Sequence, residues 1–173
     1  ATNNLRQLVI SIYSLQRKLA KNNIWVRGAI SFGQSHFDET RNQIIGDAYI
    51  KAYELEQGIA KYPRVVLDCK IIEALGHNDS SELIEAVHSC NSYDPMWLGE
   101  MGLYDWKNKI LVKDYPLFID YLKGLPDEDK GVVAHHVLNN ARNSDLYSKF
   151  KWVTDYFLSV ETCPVVQNKL INI

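Results

Sequence analysis

The sequence has no long apolar run, no surplus of charge of one sign, few cysteines and no export signal. Its apolar stretches last only a few residues, far short of the ~20 that a membrane-spanning helix needs. Lys and Arg total 19 against 21 Asp and Glu, a formal net charge of −2. That balance excludes a broadly basic nucleic-acid binder. The opening Ala1-Thr2-Asn3-Asn4 lacks the basic start and apolar stretch of a signal peptide. It also lacks a Met, which reads as a processed product or a fragment. The three cysteines, Cys69, Cys90 and Cys163, are odd in number and widely spaced. Without a Cys-x-x-Cys pair they support neither a zinc site nor a redox motif, and they read as thiols of a reducing, cytoplasmic compartment. No His-Glu-x-x-His pattern occurs, and the adjacent His135-His136 would point to different faces of a helix. A Gly-x-Ser-x-Gly elbow is also missing, which removes the simplest serine-hydrolase reading.

What is present suits one ordinary globular domain. At 173 residues and 46% hydrophobic, the chain can bury a core without disulfides or metal. Leu5, Leu8, Ile12, Leu15 and Leu19 recur at helical spacing with Val9 beside them, so residues 5–22 predict an amphipathic helix buried on that stripe. Residues 24–33 alternate as a strand, with Gly28 marking close approach of another backbone or a ligand. A hairpin follows: a strand through His36-Phe37, a turn at 39–42, and a return through Gln43-Ile44-Ile45. Asp47 is the expected N-cap of a helix to Ala60 that buries Ala48, Ala52, Leu55 and Ile59. Residues 64–68 read as a buried strand, 69–75 as a short helix and 79–90 as a helix capped by Asp79 or Ser80.

The later part is less regular. Residues 91–109 read as an aromatic loop. Ile110–Val112 and Leu117–Ile119 read as short strands around a turn at 113–116. Residues 127–142 and 144–159 read as helices, the first opened by Asp127-Glu128-Asp129 where acids suit the helix dipole. The expected class is α/β: a ferredoxin-like mixed sheet with helices on one face, plus C-terminal helices. Residues 1–126 form the α/β part and 127–173 its C-terminal helical segment.

Gly28 to Ser35 has the spacing of a phosphate-binding loop, but Gln34 replaces the required lysine and the interior is strand-like. Two structural glycines in a strand account for it better. The informative run is Trp25 to Asp68. Val26-Arg27-Gly28-Ala29-Ile30-Ser31-Phe32-Gly33, then Ile44-Ile45-Gly46-Asp47 leading to Ala52-Tyr53-Glu54-Leu55-Glu56, then Tyr62-Pro63-Arg64-Val65, come in one order and spacing. The run resembles the class III nucleotidyl cyclase homology domain. It is most similar to the bacterial cyclase-like proteins that include the pyrimidine cyclases of anti-phage Pycsar systems, and residues 147–156 look like their C-terminal helix.

The resemblance implies a homodimer that converts a nucleoside triphosphate to a 3′,5′-cyclic nucleotide and pyrophosphate with Mg²⁺ or Mn²⁺. It implies a nucleotide-binding set of Gln43, Asp47, Tyr49, Ile50 and Glu54, with Gln43 placed to read the base edge. Two departures stand out. Ile50 and Glu54 occupy positions where purine cyclases carry Asn and Arg, and Glu54 reverses the charge that a developing phosphoryl negativity needs. The family's metal-binding aspartates lie upstream of the Arg-x-Gly strand and have no counterpart in this sequence, so no metal ligand is assigned. A catalytically inactive cyclase-fold module that binds a nucleotide or a protein is the alternative.

Overall fold

The computed structural model describes residues 2–89, 103, 115 and 117–171. Apart from Leu103 and Tyr115, the expected aromatic loop, the strand Ile110–Val112 and the turn at 113–116 lie outside the described residues.

Helix α1 runs over Thr2–Lys21, with Lys18 and Lys21 in its last turn. The chain leaves it through Asn23, whose φ of 58° lies in the left-handed region that Asn tolerates. The expected leucine stripe is not the buried one. Arg6, Val9, Tyr13, Gln16 and Ala20 face the core, while Leu8 and Leu15 are 44% and 53% exposed. The helix is rolled by one residue from the expectation, about 100°. Hydrogen bonds explain how polar side chains came inside. The Tyr13 hydroxyl donates to the Lys123 carbonyl at 2.8 Å, and Arg6 Nε donates to the Val87 carbonyl at 3.0 Å. The roll still has a cost, because Arg6 Nη2 and Gln16 Oε1 are buried with no hydrogen-bond partner among the described residues.

The sheet is built from β1 (Gly28–Ile30) and β4 (Val65–Leu67), which pair in parallel with Gly28 opposite Val65 and Ile30 opposite Leu67. Between them the chain makes a hairpin, β2 (His36–Asp38) and β3 (Gln43–Ile45), and then helix α2 (Asp47–Gly58). A parallel neighbour requires such a crossover. Phe118 bridges Val66 and Ile119 bridges Leu103, both antiparallel. The architecture is therefore mixed α/β. The strand expected over 24–33 is three residues long, the extent of its pairing with β4, and Trp25 ahead of it packs edge-on against Phe150 at 5.2 Å.

Every residue of β4 is buried, and Leu117, Phe118 and Ile119 are all fully buried. Consecutive burial of this kind needs cover on both faces of a strand.

Short helix α3 (Lys70–Ala74) leads to α4 (Ser80–Ser89). Asp79 caps α4 as one of the two expected residues, accepting from the Glu82 amide at 3.0 Å. Glu82 reaches back to the Asn78 amide at 2.8 Å, closing a reciprocal cap. That bond also holds the Glu82 carboxyl below the usual carboxylate range.

Helices α5 (Asp127–Ala141), α6 (Tyr147–Val160) and α7 (Pro164–Leu170) pack together, and α5 also packs on α1. Helix α7 was not expected, although Pro164 at its first turn is a recognised start signal. The core runs without a break from Val9 to Leu170. At its centre the buried Arg64 guanidinium lies 4.9 Å from the Trp152 ring and 5.6 Å from Phe118, with Tyr62 stacked on Trp152 at 5.1 Å. Among the described residues no helix is long and apolar enough to cross a membrane.

Candidate nucleotide-binding groove at the hairpin–helix junction

The hairpin is set by its turn. Asp38 Oδ1 accepts from the amides of Thr40 and Arg41 at 3.0 and 3.1 Å, and Asn42 takes a φ of 51°. The register then follows: His36 faces Ile45, Phe37 faces Ile44 and Asp38 faces Gln43.

Gly46 joins the hairpin to α2 with φ 140° and ψ 164°. A side chain there would not fit. A Cβ on Gly46 would lie 2.6 Å from the Gln34 carbonyl oxygen and 2.8 Å from Ser35 Cα. The loop after β1 is thus pressed against the start of α2, where the Ala48 amide donates to the Gln34 carbonyl at 3.3 Å. The Ser31 hydroxyl donates to the Ala48 carbonyl, and Arg27 pairs with Glu56 further along the helix. These contacts fix α2 against β1 and so fix the hairpin against α2.

The junction encloses an open groove of about 330 Å³ lined by Asn42, Gln43, Ile44, Ile45 and Tyr49. Of the expected site residues, Gln43 and Tyr49 meet there. Asp47, Ile50 and Glu54 do not line it. They follow one another at three and four residues along α2 and share a neighbouring stripe of that helix. Asp47 is not the N-cap. That position belongs to Gly46, which has no side chain to cap with, and Asp47 is the first helical residue. Ile50 is 55% exposed. Glu54 stands 3.8 Å from Lys51 in an exposed pair.

Asn42, Ile44 and Ile45 were not singled out from the sequence. The signal was present in Ile44-Ile45: adjacent strand residues point to opposite faces, so two isoleucines in a two-stranded hairpin leave at least one uncovered by the body, and both are exposed.

The chemistry on offer is recognition. Two side-chain amides supply donors and acceptors, and a phenol ring supplies a flat apolar face. Among the described residues no three His, Cys, Asp or Glu side chains gather where they could hold a metal ion.

A second polar cluster sits at the end of β4. Asp68 is buried and its Oδ2 has no hydrogen-bond partner among the described residues. Beside it the Tyr115 hydroxyl donates to the Leu67 carbonyl at 2.8 Å and meets Cys69 Sγ at 3.4 Å. Burial, then Cys69, pushes the Tyr115 phenol well above its ordinary range.

Comparison with protein-family models, with curated proteins and with solved structures returned no match. The functional reading therefore stands on the groove and on the motif order.

Proposed function

We propose that this chain is a class III cyclase-like domain, ferredoxin-like in fold, that seats a nucleoside triphosphate at the hairpin–α2 groove. What supports the reading is the order strand, hairpin, Gly46-Asp47, helix, parallel strand, with Gln43 and Tyr49 converging on one groove. In this reading the amides of Asn42 and Gln43 meet the base edge and the Tyr49 ring lies against the base. The resemblance points to a pyrimidine base, an anti-phage signalling role and a cytoplasmic homodimer.

The reaction of this class joins the ribose 3′-oxygen to the α-phosphorus and breaks the bond to pyrophosphate. It draws on Mg²⁺ or Mn²⁺. The described residues do not form a cluster that fits such an ion, so no step is drawn through it.

A second reading, binding without turnover, is favoured by one observation. The position where a cationic side chain would neutralise the phosphoryl group holds Glu54, in an exposed pair with Lys51. One experiment separates the two. The chain is incubated with Mn²⁺ and each of the four nucleoside triphosphates, and bound and released nucleotides are identified by mass spectrometry. A cyclic pyrimidine mononucleotide is the product of the cyclase, expected only where metal-binding aspartates are supplied, since no metal ligand is assigned in this chain. Bound but unchanged triphosphate would replace it with the binding module, and no bound nucleotide would overturn both. Where binding occurs, Gln43→Ala is expected to change the preference among bases.

A further inference from the structure

Helix α1 carries two stripes at heptad spacing, and the core takes only one. Arg6, Val9, Tyr13, Gln16 and Ala20 face inward. The stripe beside it is Leu5, Leu8, Ile12, Leu15 and Leu19, which alternate at three and four residues. Leu5 and Ile12 rest against the edge of the core. Leu8 and Leu15 do not, and stand 44% and 53% exposed. An apolar stripe confined to the first and fourth positions of a heptad is the seam by which one helix packs along another. On the side of this seam away from the core lie the exposed Ser11 and Lys18. The helix holds Arg6, Arg17, Lys18 and Lys21 and not one Asp or Glu. Lys21 pairs with Asp129. Among the described residues Lys18 has no carboxylate beside it.

We infer that the outer stripe of α1 docks a helix of another protein, one with its own three-four apolar seam and carboxylates beside it. Spacing and charge select this occupant. A helix that lies on a membrane presents a broad apolar face with cations spread over the opposite one. Here the exposed part is a narrow line, with Leu8 and Leu15 one heptad apart and Lys18 at its border. A second α1 would match the seam, but it brings cations and no acid to Lys18. A helix with carboxylates flanking its seam satisfies both the leucines and the lysine, as flanking charges do when they set partner choice in coiled coils. No residue of α1 lines the groove between β3 and α2, so this surface is separate from the nucleotide reading.

Fluorescence anisotropy with designed peptides tests this on the full chain, without nucleotide. The probe has about three heptads, with Leu at the seam positions and Glu beside them. Its twins carry Lys for Glu, or the same residues in scrambled order. The acidic probe is expected to bind saturably, the basic twin about threefold or more weakly, as for an exposed charge pair, and the scrambled twin not at all. Leu8→Gln with Leu15→Gln is expected to weaken the acidic probe about tenfold or more, from the burial lost at two half-exposed leucines. Lys18→Glu should invert the preference between acidic and basic probes, and Phe37→Gln, exposed on the hairpin, should change nothing. The substituted leucines are exposed, so the variant should keep its fold, which circular dichroism checks. A readout on the wild-type chain needs no variant: a benzophenone at a seam position of the probe should label residues 5–19. No saturable binding up to about 1 mM probe, equal binding of acidic and basic probes, or labelling confined to other residues would overturn the inference. So would a self-associated chain that the leucine variant dissociates, which would give the stripe to a second copy. Binding to phosphatidylserine-containing vesicles in place of the probe would give it to a membrane surface and overturn it too.

Discussion

Replacing Gly46 by Ala is expected to lower stability by about 3 kcal/mol or more, summing backbone strain and a steric clash. The added Cβ would sit 2.6 Å from the Gln34 oxygen and 2.8 Å from Ser35 Cα, at a φ of 140° that L-residues rarely adopt. Both neighbours are backbone, so neither can swing aside. For a chain of this size that loss corresponds to roughly 6–12 °C in melting temperature. The damage also reaches the groove, because Gly46 sets the hairpin against α2 and so sets Gln43 against Tyr49. Gly58 provides the matched control. A Cβ there meets nothing within 4 Å, and Gly58→Ala at the end of α2 is expected to be neutral or to stabilise by about 0.5 kcal/mol. Thermal and urea melts of the pair would decide it. Equal melting temperatures would show that the junction is not under the constraint described.

The second large effect is expected at Tyr156, which is fully buried. Its hydroxyl donates to Asp120 Oδ1 at 2.6 Å and accepts from the Leu122 amide at 3.0 Å. Its ring packs on Phe118 and Trp152. Tyr156→Phe preserves the ring and removes both hydrogen bonds. It is expected to cost about 2–3 kcal/mol, the range for a buried bond to a carboxyl group with a backbone amide left without its acceptor.

Burial first, and then Asp120, hold the Tyr156 phenol well above its ordinary range. The sign of the pH effect follows. The folded phenol resists ionisation, so its contribution is complete below the unfolded value of about 10 and declines as the pH rises above it. Tyr121, buried and raised for the same reasons, adds to the alkaline loss. Urea melts between pH 7 and 11 are expected to show wild-type stability falling above about pH 10, with a shallower fall in Tyr156→Phe. Parallel slopes for the two proteins would contradict this account of the site.

Much of the fold could be read from local signals. The acidic start of α5, the Asp79 cap of α4 and the tight turn at Asp38 each depend on residues close in sequence. So does the apolar run of β4. The orientation of α1 could not be read in that way. Its leucines define a stripe, but a stripe next to it carries Val9, Tyr13 and Ala20. Which one faces inward was decided by distant partners, the carbonyls of Lys123 and Val87. The Asp47 cap failed for a similar reason: the junction needed a residue without a side chain against Gln34, and Gly46 took the capping position. At the candidate site the sequence singled out Gln43 and Tyr49, which the Gly46 junction between hairpin and α2 brings together. It also singled out Ile50 and Glu54 through their place in a motif, and these fall on a different stripe of α2.

The claim that most needs testing is that a nucleoside triphosphate occupies the groove between β3 and α2. Hydrogen–deuterium exchange read residue by residue, with and without each of the four triphosphates in Mn²⁺, addresses it directly. A pyrimidine triphosphate is expected to slow exchange about tenfold or more at the amides of residues 42–50, given ligand at ten or more times its dissociation constant. Tyr49→Ala should abolish that protection while leaving exchange in α5 and α6 unchanged. Exchange at residues 42–50 that stays the same with all four triphosphates, in a chain that is otherwise folded, would contradict the account.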